Sequence, residues 1–285
     1  MTGAPRPAGN KKPAQHRDLA LRASSALVLA ASAIVLTYAG LWPFVALVAA
    51  GSTIVAWEWN RLVRDEALGV AFYAHVVAVI AACALVAQGT ISLAFLVLAT
   101  GAFASAIFTA LPGGRRWSAF GVLYLGVSGL LLVLFRTDPI YGISAIFFLF
   151  LIVWSADTAA YFSGRVIGGP KLAPVISPGK TWAGFTGGLV VPTLLSFAFA
   201  LWLGGTSAMI LALIGAVLAL ACQCGDLAES AIKRTFDFKD SGHILPGHGG
   251  LFDRVDGLIG AVLAAGIIAC CRDLLNPGKA LLIWP

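Results

Sequence analysis

Charged residues are scarce in this sequence, and their scarcity excludes a water-soluble protein. Of its 285 residues, 59% are hydrophobic and only 11% are charged, whereas soluble domains carry about 25% charged residues. No Asp, Glu, Lys or Arg occurs in four long runs, 23–57, 67–114, 117–135 and 181–225. Because a membrane-spanning helix needs about 20 mostly apolar residues, the sequence predicts an all-α integral membrane protein.

Turn-forming residues divide these runs into segments of membrane-spanning length. We expect a polytopic bundle of about nine transmembrane helices with a polar site at the cytoplasmic face. The predicted spans are 24–41, 43–57, 70–87, 90–111, 117–135, 140–162, 182–203, 206–224 and 257–271. The predicted regions are a disordered basic cytoplasmic tail over 1–22, an N-terminal transmembrane region over 23–139, a C-terminal transmembrane catalytic region over 140–273, and a tail over 274–285.

The basic residues fall on one side of the predicted bundle. If the N-terminus is cytoplasmic, all 19 Lys and Arg residues except Arg136, Arg272 and Lys279 lie in cytoplasmic segments. Short cytoplasmic loops carry an excess of Lys and Arg, so we expect an inner (plasma) membrane protein whose site faces the cytoplasm. The net charge of +6 fits contact with anionic lipid headgroups rather than with nucleic acid. The side of the C-terminal tail stays open.

Acidic residues are rare elsewhere but cluster late in the chain. Six of the 13 lie between Asp226 and Asp256. Because a charge near a bilayer interior is costly and usually functional, we expect the chemistry here. On a helix, Asp226, Ser230 and Lys233 share one face, where a carboxylate and an ammonium can hold a metal ion and an anionic oxygen side by side. The alternative is an intrahelical ion pair that faces solvent.

A glycine-rich loop leads from that helix to the last span. Its Pro and Gly residues exclude a helix, and backbone amides next to Gly249 and Gly250 can approach phosphate oxygens closely. Asp253 and Asp256 open the last span on one helical face, and carboxylates beside phosphates commonly hold Mg²⁺. The alternative is a flexible surface loop with a capping Asp.

A third polar group lies upstream, where Asp157 falls inside the predicted sixth span and Lys180 follows in an S-P-G-K-T segment. An Asp at such depth is more often functional than structural. The G-K-T at 179–181 invites comparison with a phosphate-binding P-loop. The glycine that this motif requires five positions earlier is Pro174, and no strand is predicted before it. We therefore reject a P-loop.

Taken together, these residues resemble the phosphatidate cytidylyltransferase family, also called the CDP-diacylglycerol synthases. The family signature consists of S-x-x-K-R, K-D, P-G-H-G-G and D-R-x-D, and it is complete between Ser230 and Asp256. The preceding G-D-L-x-E-S and S-P-x-K-T segments also match. The resemblance extends over residues 150–260, whereas the first 140 residues match only in hydropathy.

The resemblance implies a nucleotidyltransferase of phospholipid biosynthesis that converts CTP and phosphatidate to CDP-diacylglycerol and pyrophosphate with Mg²⁺. We expect a second cation as a further cofactor, membrane lipid around the protein, no nucleic acid, and a homodimer. The implied catalytic residues are Asp226, Lys233, Asp253 and Asp256, of which Asp226, Asp253 and Asp256 are the metal ligands. The implied substrate-binding residues are Asp157, Lys180, Ser230, Arg234, Lys239, His248, Gly249, Gly250 and Arg254.

Three other functions compete with this interpretation. CTP-dependent polyprenol kinases and cytidylyltransferases that act on other lipid phosphates share parts of the pattern, and the acceptor lipid is not written in the motif. An ion-coupled transporter is more remote, because transporter sites lie near the membrane midplane and the charges here cluster at one face. The D-G-x-x-A-R pattern of CDP-alcohol phosphotransferases is absent.

Overall fold

The structure, a computed structural model, describes residues 12–64, 68–108, 114–242, 244 and 249–285. It consists of helices and one small hairpin. In chain order the elements are α1 Lys12–Ala39, α2 Leu41–Arg64, α3 Val70–Ala87, α4 Ile91–Ile107, α5 Gly114–Thr137, α6 Gly142–Val166, β1 Lys171–Ala173, β2 Ser177–Thr181, α7 Trp182–Leu203, α8 Ala208–Thr235, α9 Phe252–Arg272 and α10 Pro277–Leu282.

The helices confirm the predicted all-α membrane class. Seven helices in the described part of the chain, α2, α3 and α5 to α9, are long and apolar enough to span a membrane. Two further apolar stretches, Ser25–Ala39 and Ile91–Ile107, are shorter. Each of the nine predicted spans overlaps one of the helices α1 to α9, and the count of nine stays a prediction.

Glycines allow two helix pairs to pack closely at the end of the bundle that carries Asp157 and Asp226. A Cβ atom added at Gly184 of α7 would lie 2.9 Å from the carbonyl oxygen of Ala160 on α6. One added at Gly225 of α8 would lie 2.5 Å from the carbonyl oxygen of Asp256 on α9. Small residues let helix backbones approach in this way. As a result, carboxylates from three helices meet at this end, which we call the polar end.

The hairpin of β1 and β2 was not predicted. Lys171 pairs with Thr181 and Ala173 with Ser177 in an antiparallel register. The expectation that no strand precedes G-K-T is therefore wrong, because these residues lie on β2 and follow β1. The Thr181 hydroxyl accepts a hydrogen bond from the Gly184 N–H at 3.1 Å and so caps α7. Lys180, the last residue but one of β2, therefore lies next to the capped start of α7.

The C-terminal residues pack at the opposite end of the bundle, which we call the far end. The Asp138 carboxylate, in the connection between α5 and α6, accepts a hydrogen bond from the Lys279 N–H at 2.9 Å. The Ser207 N–H, just before α8, donates to the Trp284 carbonyl oxygen at 2.9 Å. The predicted tail over 274–285 thus contains the buried helix α10. It lies at the end opposite Asp157.

The division into four regions stays a prediction. Residues 1–11 lie outside the described part of the chain, and α1 begins at Lys12, inside the segment 1–22 that was expected to be disordered. At the polar end, Glu58 of α2, from the N-terminal region, accepts hydrogen bonds from Ser241 and Phe252 of the predicted catalytic region.

The opposite placement of two exposed side chains tests this arrangement. Val175 lies between β1 and β2 at the polar end, and Leu275 lies between α9 and α10 at the far end; they are 89% and 80% exposed. With the five native cysteines replaced, we expect a membrane-impermeant thiol reagent to modify Val175→Cys and Leu275→Cys from opposite sides of sealed vesicles. Permeabilised vesicles, where both must react, are the control. Modification of both from one side would contradict the fold.

Candidate active site

A polar cavity of about 420 Å³ opens at the polar end between α6, the hairpin, α7 and α8. It brings together three residues that the sequence analysis singled out, Asp157 of α6, Lys180 of β2 and Asp226 of α8. The Lys180 ammonium lies 2.7 Å from Oδ2 of Asp226. Arg165 and Tyr161 also line the cavity, and the Arg165 guanidinium donates to the Tyr161 hydroxyl at 2.6 Å. The cavity therefore offers two cations and two carboxylates to one bound molecule.

A third carboxylate, that of Asp256, lies close to this pair. Asp157, Asp226 and Asp256 are near enough to repel one another electrostatically, and Lys180 partly offsets that repulsion. One oxygen of Asp256 accepts a hydrogen bond from the Gly257 N–H at 2.8 Å. Like-charged carboxylates at close range favour a shared proton or a bound cation. These three carboxylates therefore form the part of the site best suited to a positive ligand.

Lys233 occupies a second charged cluster, deeper in the protein. Its ammonium lies 2.8 Å from Oε1 of Glu229 and 2.8 Å from Oδ1 of Asp253. The alternative interpretation, an intrahelical pair of Asp226 and Lys233 that faces solvent, is wrong, because the partner of Lys233 on α8 is Glu229, whose side chain is only 1% exposed. Since Asp253 belongs to α9, Lys233 links α8 to α9. Asp226 lies in the other cluster and pairs with Lys180 instead.

Asp253 has donors on both of its carboxylate oxygens. Oδ1 accepts from Lys233 at 2.8 Å and from the Ser241 N–H at 3.3 Å. Oδ2 accepts from the Ser241 N–H at 3.2 Å and from the Gly250 N–H at 3.1 Å. A carboxylate has about four lone-pair positions, so Asp253 can bind a cation only by giving up one of these donors.

The carboxylates at the polar end therefore differ in how freely they can bind a metal ion. Within the described residues, no three His, Cys, Asp or Glu side chains are grouped closely enough to hold a metal ion by themselves. Carboxylate oxygens are nevertheless the ligands that Mg²⁺ prefers, and it commonly completes its shell with water and substrate phosphates. Asp226, Asp256 and Asp157 fit that role better than Asp253 does. The predicted set of Asp226, Asp253 and Asp256 stays a prediction.

The other predicted site residues that the structure describes do not line the polar cavity. Arg234, Lys239 and Arg254 are exposed, and Ser230 is half-buried on α8. The Arg234 guanidinium donates to the Phe238 carbonyl oxygen at 3.3 Å. Gly249 has a φ of +82°, a conformation that favours glycine. His248 lies outside the described residues.

An apolar groove of about 520 Å³ adjoins the polar cavity. Helices α1, α2, α5, α6 and α9 supply its walls, which are mostly aliphatic and aromatic side chains. Asp157 lines both the groove and the polar cavity, and Arg254 lines the groove and interacts electrostatically with Asp157. The two spaces therefore meet at one charged pair.

Two acidic residues at the polar end were not recognised from the sequence. Glu229 lies within the G-D-L-x-E-S segment but was not assigned a role. Glu58, on α2, is fully buried and accepts hydrogen bonds from Ser241, Leu251 and Phe252. The sequence does contain an indication of Glu58, because this residue directly follows the first charge-free run. A charge in such an apolar surrounding is costly and therefore usually has a function.

This combination of a membrane-spanning bundle with a charged site at one end defines an integral membrane enzyme. The sequence profile of the cytidylyltransferase family matches residues 20–271, and the chain belongs to that family. The match includes most of the first 140 residues, so the similarity is wider than the signature indicated.

Individual relatives agree with the family assignment. The chain is 40% identical to a phosphatidate cytidylyltransferase of Brucella melitensis over 255 residues, covering 86% of this chain and 90% of the relative. It is 41% identical to the Brucella suis protein of the same name over 250 residues, with the same two coverages. A phosphatidate cytidylyltransferase of Bacillus subtilis is 44% identical over 138 residues, which are 48% of this chain and 51% of that protein.

The largely enclosed position of Lys233, whose side chain is 12% exposed, leads to a stability prediction. Lys233→Met leaves Glu229 and Asp253 without their shared ammonium, and breaking a buried ion pair in this way costs about 3–5 kcal/mol. We expect the free energy of unfolding of the detergent-solubilised protein to fall by that order. Lys239→Met, on an exposed lysine of the same signature, is the control and should change it by less than about 0.5 kcal/mol. Equal losses in both variants would contradict this role of Lys233.

Proposed function

We propose that this protein is a phosphatidate cytidylyltransferase, which converts CTP and phosphatidate to CDP-diacylglycerol and pyrophosphate. The observation that carries the proposal is the junction of a polar cavity and an apolar groove at Asp157 and Arg254. A reaction between a water-soluble nucleotide and a membrane lipid needs such a junction. Membership of the cytidylyltransferase family and the names of the relatives support it.

The proposal assigns one substrate to each space. The triphosphate of CTP occupies the polar cavity, where Lys180 and Arg165 provide positive charge. The phosphate of phosphatidate lies near Arg254, and its acyl chains lie in the apolar groove, whose walls match hydrocarbon. The lipid phosphate then attacks the α-phosphorus of CTP, and pyrophosphate leaves towards the cavity mouth. The nucleophile is already an anion, so no general base is needed.

The task of the protein is therefore to position the two phosphates and to neutralise their charge. A divalent cation, when bound, would neutralise charge that develops on the attacking and leaving oxygens. Asp226 and Asp256, with Asp157, are the residues that would hold Mg²⁺, and a second cation stays a prediction. When CTP binds, a phosphate oxygen replaces Asp226 as the partner of the Lys180 ammonium. Lys233 maintains the spacing of α8 and α9 through Glu229 and Asp253.

The location of the protein follows from the same reasoning. We propose that the polar end faces the cytoplasm and that the protein lies in the inner membrane, because CTP is cytoplasmic and the basic residues favour that side. In the labelling experiment, Val175→Cys is then the variant that reacts from the cytoplasmic side. A homodimer stays a prediction.

Labelled CTP distinguishes the proposed reaction from its alternatives. With phosphatidate as acceptor, label in the α-phosphate should appear in lipid, and label in the γ-phosphate should appear in pyrophosphate. A CTP-dependent lipid kinase would instead place the γ-label in lipid. Polyprenyl phosphate, offered in competition with phosphatidate, tests the acceptor. Preferential transfer of the α-label to polyprenyl phosphate, or transfer of the γ-label, would overturn the proposal.

Asp157 should matter for turnover because it lies at the junction of the two spaces. Asp157→Asn keeps the size of the side chain but removes a charge that faces Lys180, Asp226 and Arg254. We expect kcat to fall by at least about tenfold, equivalent to about 1.4 kcal/mol of transition-state stabilisation. Asp237→Asn is the matched control, since Asp237 is exposed and its φ of 60° is one that Asn tolerates. The initial rates of both variants are measured at saturating CTP and lipid. Equal rates would contradict a role of Asp157 in turnover.

A further inference from the structure

Glu58 holds together two parts of the chain that flank the glycine-rich loop. Its Oε2 accepts hydrogen bonds from the Ser241 hydroxyl at 3.1 Å and from the Phe252 N–H at 2.7 Å. Its Oε1 accepts from the Leu251 N–H at 2.8 Å. Ser241 precedes the loop, and Leu251 and Phe252 follow it. A single carboxylate from α2 therefore joins both ends of the loop.

Glu58 also caps the helix that carries the predicted acidic ligands. Helix α9 begins at Phe252, and its N-cap residue, Leu251, is apolar and cannot supply a capping oxygen. The first N–H groups of a helix need an acceptor, and its N-terminus attracts negative charge. Glu58 satisfies both needs from a position almost 200 residues earlier in the chain. Trp59, the next residue, packs edge-on against the Phe252 ring with centroids 5.8 Å apart.

The surrounding backbone is shaped to this carboxylate. A Cβ atom added at Gly242 would lie 2.8 Å from Oε1 of Glu58, and one at Gly250 would lie 2.9 Å from both of its oxygens. On the other side of the same segments, Asp253 accepts hydrogen bonds from the N–H groups of Ser241 and Gly250. Two carboxylates thus hold the two ends of the loop between them.

We propose that Glu58 is a positioning residue for cytidylyl transfer, which fixes the ends of the loop over 242–250 and the first turn of α9. Through that turn it sets the positions of Asp253, Arg254 and Asp256 relative to the cavity. The effect on turnover rests on the proposed function. The effect on the loop and on α9 does not, and it can be measured without substrate.

The test compares Glu58→Gln with Asp138→Asn. In Glu58→Gln the new NH₂ group faces a backbone N–H that previously met an oxygen, so one donor loses its acceptor. Asp138 is a matched control because it too is a buried carboxylate that accepts three hydrogen bonds, in its case from the N–H groups of Ile140, Tyr141 and Lys279 at the far end. Both variants should lose thermal stability in the full-length protein.

The expected results separate positioning from general destabilisation. We expect Glu58→Gln to lower kcat by about tenfold or more, since misplacement by about 1 Å can cost about 100-fold. KM for CTP should change little, because the polar cavity between α6, α7 and α8 is not displaced. Amide hydrogen exchange over residues 249–256 should accelerate in Glu58→Gln alone. Asp138→Asn should keep its kcat and its exchange in that segment. Glu58→Asp, which retains the charge, should recover part of kcat.

Each other outcome is decisive. If Glu58→Gln matches Asp138→Asn in both kcat and exchange, the proposal is wrong. If Glu58→Gln is not recovered folded, Ser241→Ala replaces it, because it removes one donor to Glu58 and keeps the Ser241 N–H for Asp253. Slower turnover and faster exchange in Ser241→Ala then support the proposal, and no change in either overturns it. If the wild-type protein makes no CDP-diacylglycerol, the proposed function fails, and the exchange comparison still decides the role of Glu58.

Discussion

Lys233 lies between a carboxylate of its own helix and one of α9, and much of the polar end depends on that contact. An ammonium can be buried only where opposite charges and hydrogen-bond acceptors compensate the loss of water. Glu229 and Asp253 provide both, and in doing so they bring α8 and α9 to a fixed separation. Asp253 then has oxygens left to accept the N–H groups of Ser241 and Gly250. The Lys233 ammonium thus holds in place a carboxylate that also contacts the backbone on both sides of the glycine-rich loop.

Close helix packing completes the site around this cluster. Gly184 lets the start of α7 approach α6, and Gly225 lets α8 approach α9. Larger side chains at these positions would separate the backbones and with them Asp157, Asp226 and Asp256. In a bilayer, where apolar surface gains little from leaving lipid, such close contacts and polar pairs supply much of the association between helices. The glycines and the charged residues of the signature therefore act together.

The sequence predicts the membrane class and a polar site with Asp157 and Asp226 among its residues, because costly charges in an apolar surrounding are usually functional. It does not predict the contacts of Glu58, which join residues almost 200 positions apart and leave no local periodicity. The hairpin is not predicted from the sequence for a different reason. Pro178 and Gly179 disfavour a strand by propensity, and two short strands pair here because the chain must return from α6 to α7. The sequence also does not predict that Asp226 and Lys233 belong to separate clusters. Helical spacing shows which residues are neighbours on one helix, but it does not show which partners the other helices provide.

Because the two spaces meet at Asp157, the concentrations of the two substrates are expressed in different units. The polar cavity is lined by charged side chains, whereas the apolar groove is walled by side chains that match hydrocarbon. If each space receives its substrate from its own phase, CTP is governed by concentration in a volume and the lipid by its mole fraction in a surface. Added detergent then dilutes one substrate and leaves the other unchanged. An apparent affinity for the lipid has meaning only with the composition of the surrounding bilayer or micelle stated beside it.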